Sequence, residues 1–147
     1  MKTHRSYSLL VALAMLFAFA IPSVSLAKDL ERTRVSLQNS GEEPAASGYA
    51  EFRLKKRNRM RFKVEVEDLT PANYDLMVGG VVRGTLDVRA LASGKVEGEL
   101  EFDTKREPGK LPLDFDPRGE LIEVVRSGIV YLSVTFPDGG SGGGSCN

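Results

Sequence analysis

Histidine and cysteine occur once each in these 147 residues, and tryptophan does not occur at all. A single thiol, Cys146, cannot close an internal disulfide or build a cysteine zinc site. It sits in the tail Gly139-Gly140-Ser141-Gly142-Gly143-Gly144-Ser145-Cys146-Asn147, whose composition is that of a flexible linker. An odd cysteine on such a tether suits an intermolecular disulfide. His4 is the only histidine. Beyond it the chain has no imidazole to act as the base of a Ser-His-Asp or Cys-His site, and zinc and copper lose their usual donors. Without tryptophan, a sugar-stacking platform would fall to Tyr49, Tyr74 or Tyr131. No glycine-rich loop opens a helix, because Gly79-Gly80 joins two strand-like runs. A phosphate cradle of that kind is therefore excluded.

Long apolar runs are also missing. The longest, Leu9 to Ile21, falls short of the roughly 20 residues a spanning helix needs. Lys2, His4 and Arg5 precede it, and Pro22 and the small-x-small exit Ser25-Leu26-Ala27 follow it. A basic start, a short apolar centre and a small-residue exit predict a cleavable secretory signal over residues 1–27. No cysteine follows the predicted cut, so a lipid anchor is not expected. The product is a secreted or periplasmic protein with no transmembrane anchor after cleavage. The twenty basic and twenty acidic residues balance. The leader holds two of the bases and none of the acids, which leaves the remainder at net −2. Net charge thus gives the domain no general affinity for nucleic acid or membrane.

From Lys28 onward, period-two alternation replaces helical spacing. Met60, Phe62, Val64 and Val66 point one way, and Arg59, Arg61, Lys63, Glu65 and Glu67 the other. Ala50, Phe52 and Leu54 alternate with Glu51, Arg53 and Lys55, and Lys55-Lys56-Arg57-Asn58 joins the two runs as a hairpin. Further strands are expected over Arg32 to Gln38, Tyr74 to Val78, Val81 to Val88 and Lys95 to Phe102. Gly98, on the apolar side of the last of these, marks a bulge or a close backbone approach. Leu121 to Arg126 and Ile129 to Phe136 form a final hairpin, partly apolar on both faces, which predicts a central position covered on two sides. About eight short strands argue an all-β, antiparallel β-sandwich or barrel over residues 28–138, followed by the 139–147 tail.

Three surface features bear on function. The basic cluster Arg53, Lys55, Lys56, Arg57, Arg59, Arg61 and Lys63 lies on or beside one hairpin. It reads either as a positive stripe for an anionic cell-envelope polymer or as charge that blocks edge-to-edge aggregation. Nucleic acid is not the expected partner, because no stacking aromatics interleave the stripe. The segment Leu113 to Gly119 carries Asp114 and Asp116, with Asp103 upstream. These three acids make a candidate calcium site. Alternatively Asp116-Pro117-Arg118-Gly119 is a type I turn beside an Asp114–Arg118 pair. Glu97, Glu99 and Glu101 share one strand face, with neighbours about 7 Å apart. A carboxylate-dependent hydrolase using Glu99 or Glu101 with Asp103 or Asp114 is the enzymatic alternative; a solvated strand face is the plain one. The function expected is that of an exported, non-catalytic binding or structural domain, its partner an envelope polyanion or another protein, with no cofactor, calcium aside.

Two stretches carry a resemblance. Gly48-Tyr49-Ala50-Glu51-Phe52, followed by Arg61-Phe62-Lys63-Val64-Glu65-Val66-Glu67-Asp68-Leu69, looks like the opening of CHRD-type (chordin-like) domains and related exported bacterial β-domains. The resemblance spans about a third of the chain after the leader. It implies an immunoglobulin-like or similar β-sandwich with a non-catalytic role.

Overall fold

The computed structural model describes residues 29–139. The predicted leader, Cys146 and nearly all of the Gly/Ser tail lie outside these residues. Ten strands form: β1 Glu31–Ser36, β2 Gln38–Asn39, β3 Ser47–Leu54, β4 Met60–Glu67, β5 Ala72–Val78, β6 Val81–Ala90, β7 Val96–Asp103, β8 Leu111–Pro112, β9 Leu121–Arg126 and β10 Ile129–Thr135. Two of them, β2 and β8, are two residues long, so the longer strands number the eight expected. The path runs β1-β3-β4-β7-β6-β5-β9-β10-β2, with β8 pairing parallel to β7 and every other pair antiparallel. The sheet nearly closes on itself, which makes the domain a small barrel.

Two segments turn the corners. β6 pairs with β5 from Val81 to Val88 but with β7 only through Arg89 and Ala90. It therefore belongs to one side of the barrel at its start and to the other at its end. The second corner is the run 31–39: β1 pairs with β3, and β2 pairs with β10. Between them the Leu37 amide donates to the Gly48 carbonyl at 2.9 Å. One continuous stretch thus joins both ends of the sheet.

Alternation fixes what faces inward. Phe52, Phe62 and Phe102 sit opposite one another across β3, β4 and β7 and are buried. The Phe62 ring lies 6.0 Å from those of Phe102, Phe115 and Phe136, edge-on to the last two. Leu76, Leu86, Ile122, Val124 and Leu132 complete the core from the other side. Gly98 stays in register with Val66, so it is not a bulge. It is the close approach: a Cβ there would lie 2.8 Å from Cγ2 of Val88 on β6. The bulges fall elsewhere, with Arg83 as the extra residue against β5 and Tyr131 as the extra residue against β9.

Turn chemistry follows the sequence. Gly79-Gly80 and Ser127-Gly128 both take positive φ at each residue, as tight two-residue hairpins of type I′ require. Lys56–Asn58 makes one 3-10 turn between β3 and β4, with Arg57 and Asn58 at positive φ. Two expectations need correction. The β9–β10 hairpin is buried on one face only, and Leu121 and Ile129 are exposed, because a barrel wall has an inner and an outer side. The turn after Asp116 lies one residue later than expected. The Glu120 amide donates to the Pro117 carbonyl at 3.2 Å, and Gly119 takes positive φ, the pattern of a type II turn.

Candidate functional site

The outer face of β1, β3, β4 and β7 is a lattice of charges set by register. Arg32, Arg53, Arg61 and Asp103 stand abreast. The next row is Arg34, Glu51, Lys63 and Glu101, and the next Ser36, Tyr49, Glu65 and Glu99. Like charges directly opposite repel, and the side chains resolve this by reaching diagonally across strands and two residues along their own. Glu51 accepts from Arg32 Nη2 at 2.8 Å and from Arg53 Nε at 2.5 Å. Lys63 Nζ lies 2.6 Å from Glu99 and 2.7 Å from Glu65. Burial pushes the Glu51 carboxyl up, but the hydrogen bonds from Arg53 and Arg32 outweigh it and hold the group below the usual carboxylate range.

At one end of this face the loop after β7 folds back over it. Asp103 is buried and accepts from Arg59 Nη2 at 2.7 Å, Arg61 Nε at 2.6 Å and the Lys105 amide at 2.8 Å. Burial alone would raise its pKa. The Arg59, Lys105 and Arg61 hydrogen bonds more than compensate and keep it far below the ordinary aspartate value. Glu107 joins from the loop, 2.5 Å from Arg59 and 3.1 Å from both Arg61 and Lys110. The Lys110 and Arg59 hydrogen bonds lower its pKa.

This arrangement divides the basic cluster. Arg53, Arg59, Arg61 and Lys63 face carboxylates, so the outer strand face is a neutralised lattice and not a positive stripe. Lys56 and Arg57, on the 3-10 turn, and Arg106, on the loop after β7, have no carboxylate within 4.0 Å among the described residues. Lys55 lies 4.0 Å from Asp29, and Lys105 lies 3.7 Å from Glu107. Lys55, Lys56, Arg57, Asn58 and Lys105 line an open recess of about 690 Å³ whose wall contains no acid. Spacing alone did not reveal Lys105 and Arg106, because the stretch that carries them is irregular. Pairing of β4 with β7 brings them beside the hairpin: the Thr104 amide donates to the Met60 carbonyl at 3.0 Å.

The three aspartates of the calcium candidate do not converge. Asp103 is enclosed by guanidinium groups, Asp114 is exposed with Arg83 4.0 Å away, and Asp116 pairs with Arg118 at 2.6 Å. No group of three His, Cys, Asp or Glu side chains able to hold a metal forms among the described residues. Arg118 thus belongs to Asp116 and not to Asp114, since two residues along this turn bring the Arg118 amide and side chain onto one carboxylate. Glu97, Glu99 and Glu101 do share the outer face of β7, as their spacing predicts. Glu99 meets Lys63, and Glu101 meets Lys110 at 3.0 Å. A cleft of about 180 Å³ beside Glu101 is lined by Glu51, Arg53, Arg61 and Lys63 as well, so cations separate its two acids.

The tyrosines do not form a stacking platform. Tyr74 is buried, with its ring edge-on to Tyr131 at 5.3 Å. The face of Tyr49 is capped by the Arg34 guanidinium at 3.4 Å, and its hydroxyl donates to Glu65 at 2.5 Å. None of the helical segments among the described residues is long and apolar enough to cross a membrane. The chain matches no protein-family model and no curated protein.

Proposed function

We propose that this chain is an exported, non-catalytic β-barrel domain that binds an anionic cell-envelope polymer at the basic end of the barrel. One observation carries the reading: most of the described cations on the charged face are neutralised, while Lys56, Arg57 and Arg106 gather at one end without a carboxylate partner. Lys56 and Arg57 line an open recess together with Lys55 and Lys105, and Arg106 follows Lys105 in the chain. Grouped cations around an open recess give local attraction for a polyanion even on a chain of balanced charge. Of the acids a hydrolase would use, Glu99, Glu101 and Asp103 each meet a cation, and Asp114 is exposed with Arg83 4.0 Å away. That favours a binding role over a hydrolase, in keeping with what the CHRD-type resemblance implies.

Retention on immobilised heparin, as a soluble polyanion, tests the reading. The wild-type protein should be retained at low salt, and K56A/R57A/R106A should elute in the flow-through with its fold intact by circular dichroism. Lack of wild-type retention at low salt overturns the proposal. Export is tested separately: the protein recovered outside the cytoplasm should begin at Lys28 by N-terminal sequencing.

A further inference from the structure

The end of the barrel that carries the unpaired cations also carries exposed aliphatic residues. Leu30 is 62% exposed, Val82 54%, Val81 50% and Leu121 42%. All four lie at this end. The Leu30 amide donates to the Leu54 carbonyl beside the β3–β4 turn, and the Gly79 amide donates to the Leu121 carbonyl beside the β5–β6 turn that Val81 and Val82 follow. Around the rim, cations occupy the β3–β4 turn and the loop after β7, and Val81, Val82 and Leu121 occupy the neighbouring β5–β6 turn and the start of β9. The opposite end sets the exposed Leu91 and Ile129 among charges of both signs, Glu42, Glu43 and Asp68 together with Arg89, Lys95 and Arg126.

We infer that this rim docks on an anionic lipid surface. The inference rests on the anion-binding reading above and names the form in which the anion is presented. A soluble polyanion has no use for bare aliphatic side chains, which remain a cost in water. A bilayer rewards both groups at once: headgroup phosphates attract the cations, and short aliphatic side chains reach the headgroup–acyl boundary. Balanced net charge does not oppose docking, because Lys56, Arg57 and Arg106 lack a carboxylate partner at this end, although Glu120 stands over Gly79 beside the aliphatic stretch.

Flotation of the protein, in the form recovered from producing cells, with lipid vesicles tests the inference. One set of vesicles is pure phosphatidylcholine and the other contains about one-third phosphatidylglycerol. The protein should favour the anionic set by at least about tenfold. K56A/R57A/R106A should abolish both that preference and heparin retention. V81S/V82S/L121S should reduce flotation with anionic vesicles about tenfold while heparin retention stays unchanged. Where circular dichroism shows that triple variant unfolded, V82S alone is read, with a smaller loss in the same direction. Heparin retention without a vesicle preference, or an aliphatic variant that floats like wild type, overturns the lipid surface and leaves the anion site standing. Failure of the wild-type protein to bind either probe overturns both.

Discussion

Arg61 and Asp103 stand opposite each other on β4 and β7, and Arg61 Nε donates to Asp103 Oδ2 at 2.6 Å. The carboxylate is buried while the guanidinium remains partly exposed. The aspartate is therefore the costly partner to leave unmatched, and it is matched by Arg59 as well. Asp103 is the hub that fastens the loop after β7 to the barrel wall.

Replacing that hub by an isostere should be expensive. Asp103→Asn keeps the shape and removes the charge, leaving Arg59 and Arg61 close together without their shared counter-ion. A loss of about 2 kcal/mol is expected, below the full cost of breaking a fully buried pair because both arginines retain solvent. Urea denaturation measures it, and a change under about 0.5 kcal/mol would show the hub to be dispensable.

Acid should act through the same group. The folded-state pKa of Asp103 is depressed, and those of Glu51, Glu65, Glu107 and Asp116 are depressed as well. A depressed carboxylate stabilises the fold above its unfolded pKa of about 4, and that stability is lost as pH falls through the folded value. Stability should thus hold between about pH 5 and 7 and decline below about pH 4. D103N should show a shallower acid decline than wild type, measured by urea midpoints across pH.

Paired and unpaired cations should separate cleanly. R53A/K63A removes two members of the charge lattice and should cost about 1–2 kcal/mol while leaving heparin retention intact. K56A/R57A/R106A should change stability by no more than about 0.5 kcal/mol and abolish retention. Binding through three or so cations should weaken roughly ten- to thirtyfold between about 50 and 200 mM salt. A salt titration of binding gives that slope.

Gly98 should resist even the smallest side chain. The added Cβ would meet Val88 Cγ2 at 2.8 Å and the Asp87 carbonyl at 3.3 Å. Gly98→Ala should destabilise by about 1–3 kcal/mol. Val88→Ala in the same chain should return part of that loss, and additive costs in a double-mutant cycle would contradict the contact.

What the sequence made legible was local. The alternation of Met60 to Val66 names the inward face of β4, because one buried face and a period of two leave no other solution. Gly79-Gly80 and Ser127-Gly128 announce their turns through residues that tolerate positive φ. Partners from distant strands were not legible. Spacing shows that Lys63 and Arg61 face outward but not that Glu99 and Asp103 stand beside them, since those residues arrive 36 and 42 positions later. The same limit hid the recess, whose Lys105 joins the hairpin only through β4–β7 pairing. It also hid the bulges at Arg83 and Tyr131, each a single extra residue visible only against a neighbouring strand.

The run 31–39, which pairs with β3 on one side and β10 on the other, sets an order of events. Its first half meets β3 within about twenty residues of chain. Its second half waits for Leu132 and Ser133, nearly the last residues of the barrel. A chain emerging N-terminus first, from a ribosome or a translocation pore, keeps its opening strand half-matched until the closing strand follows. The barrel is sealed by its own first strands and its last, so an interrupted chain remains an open sheet.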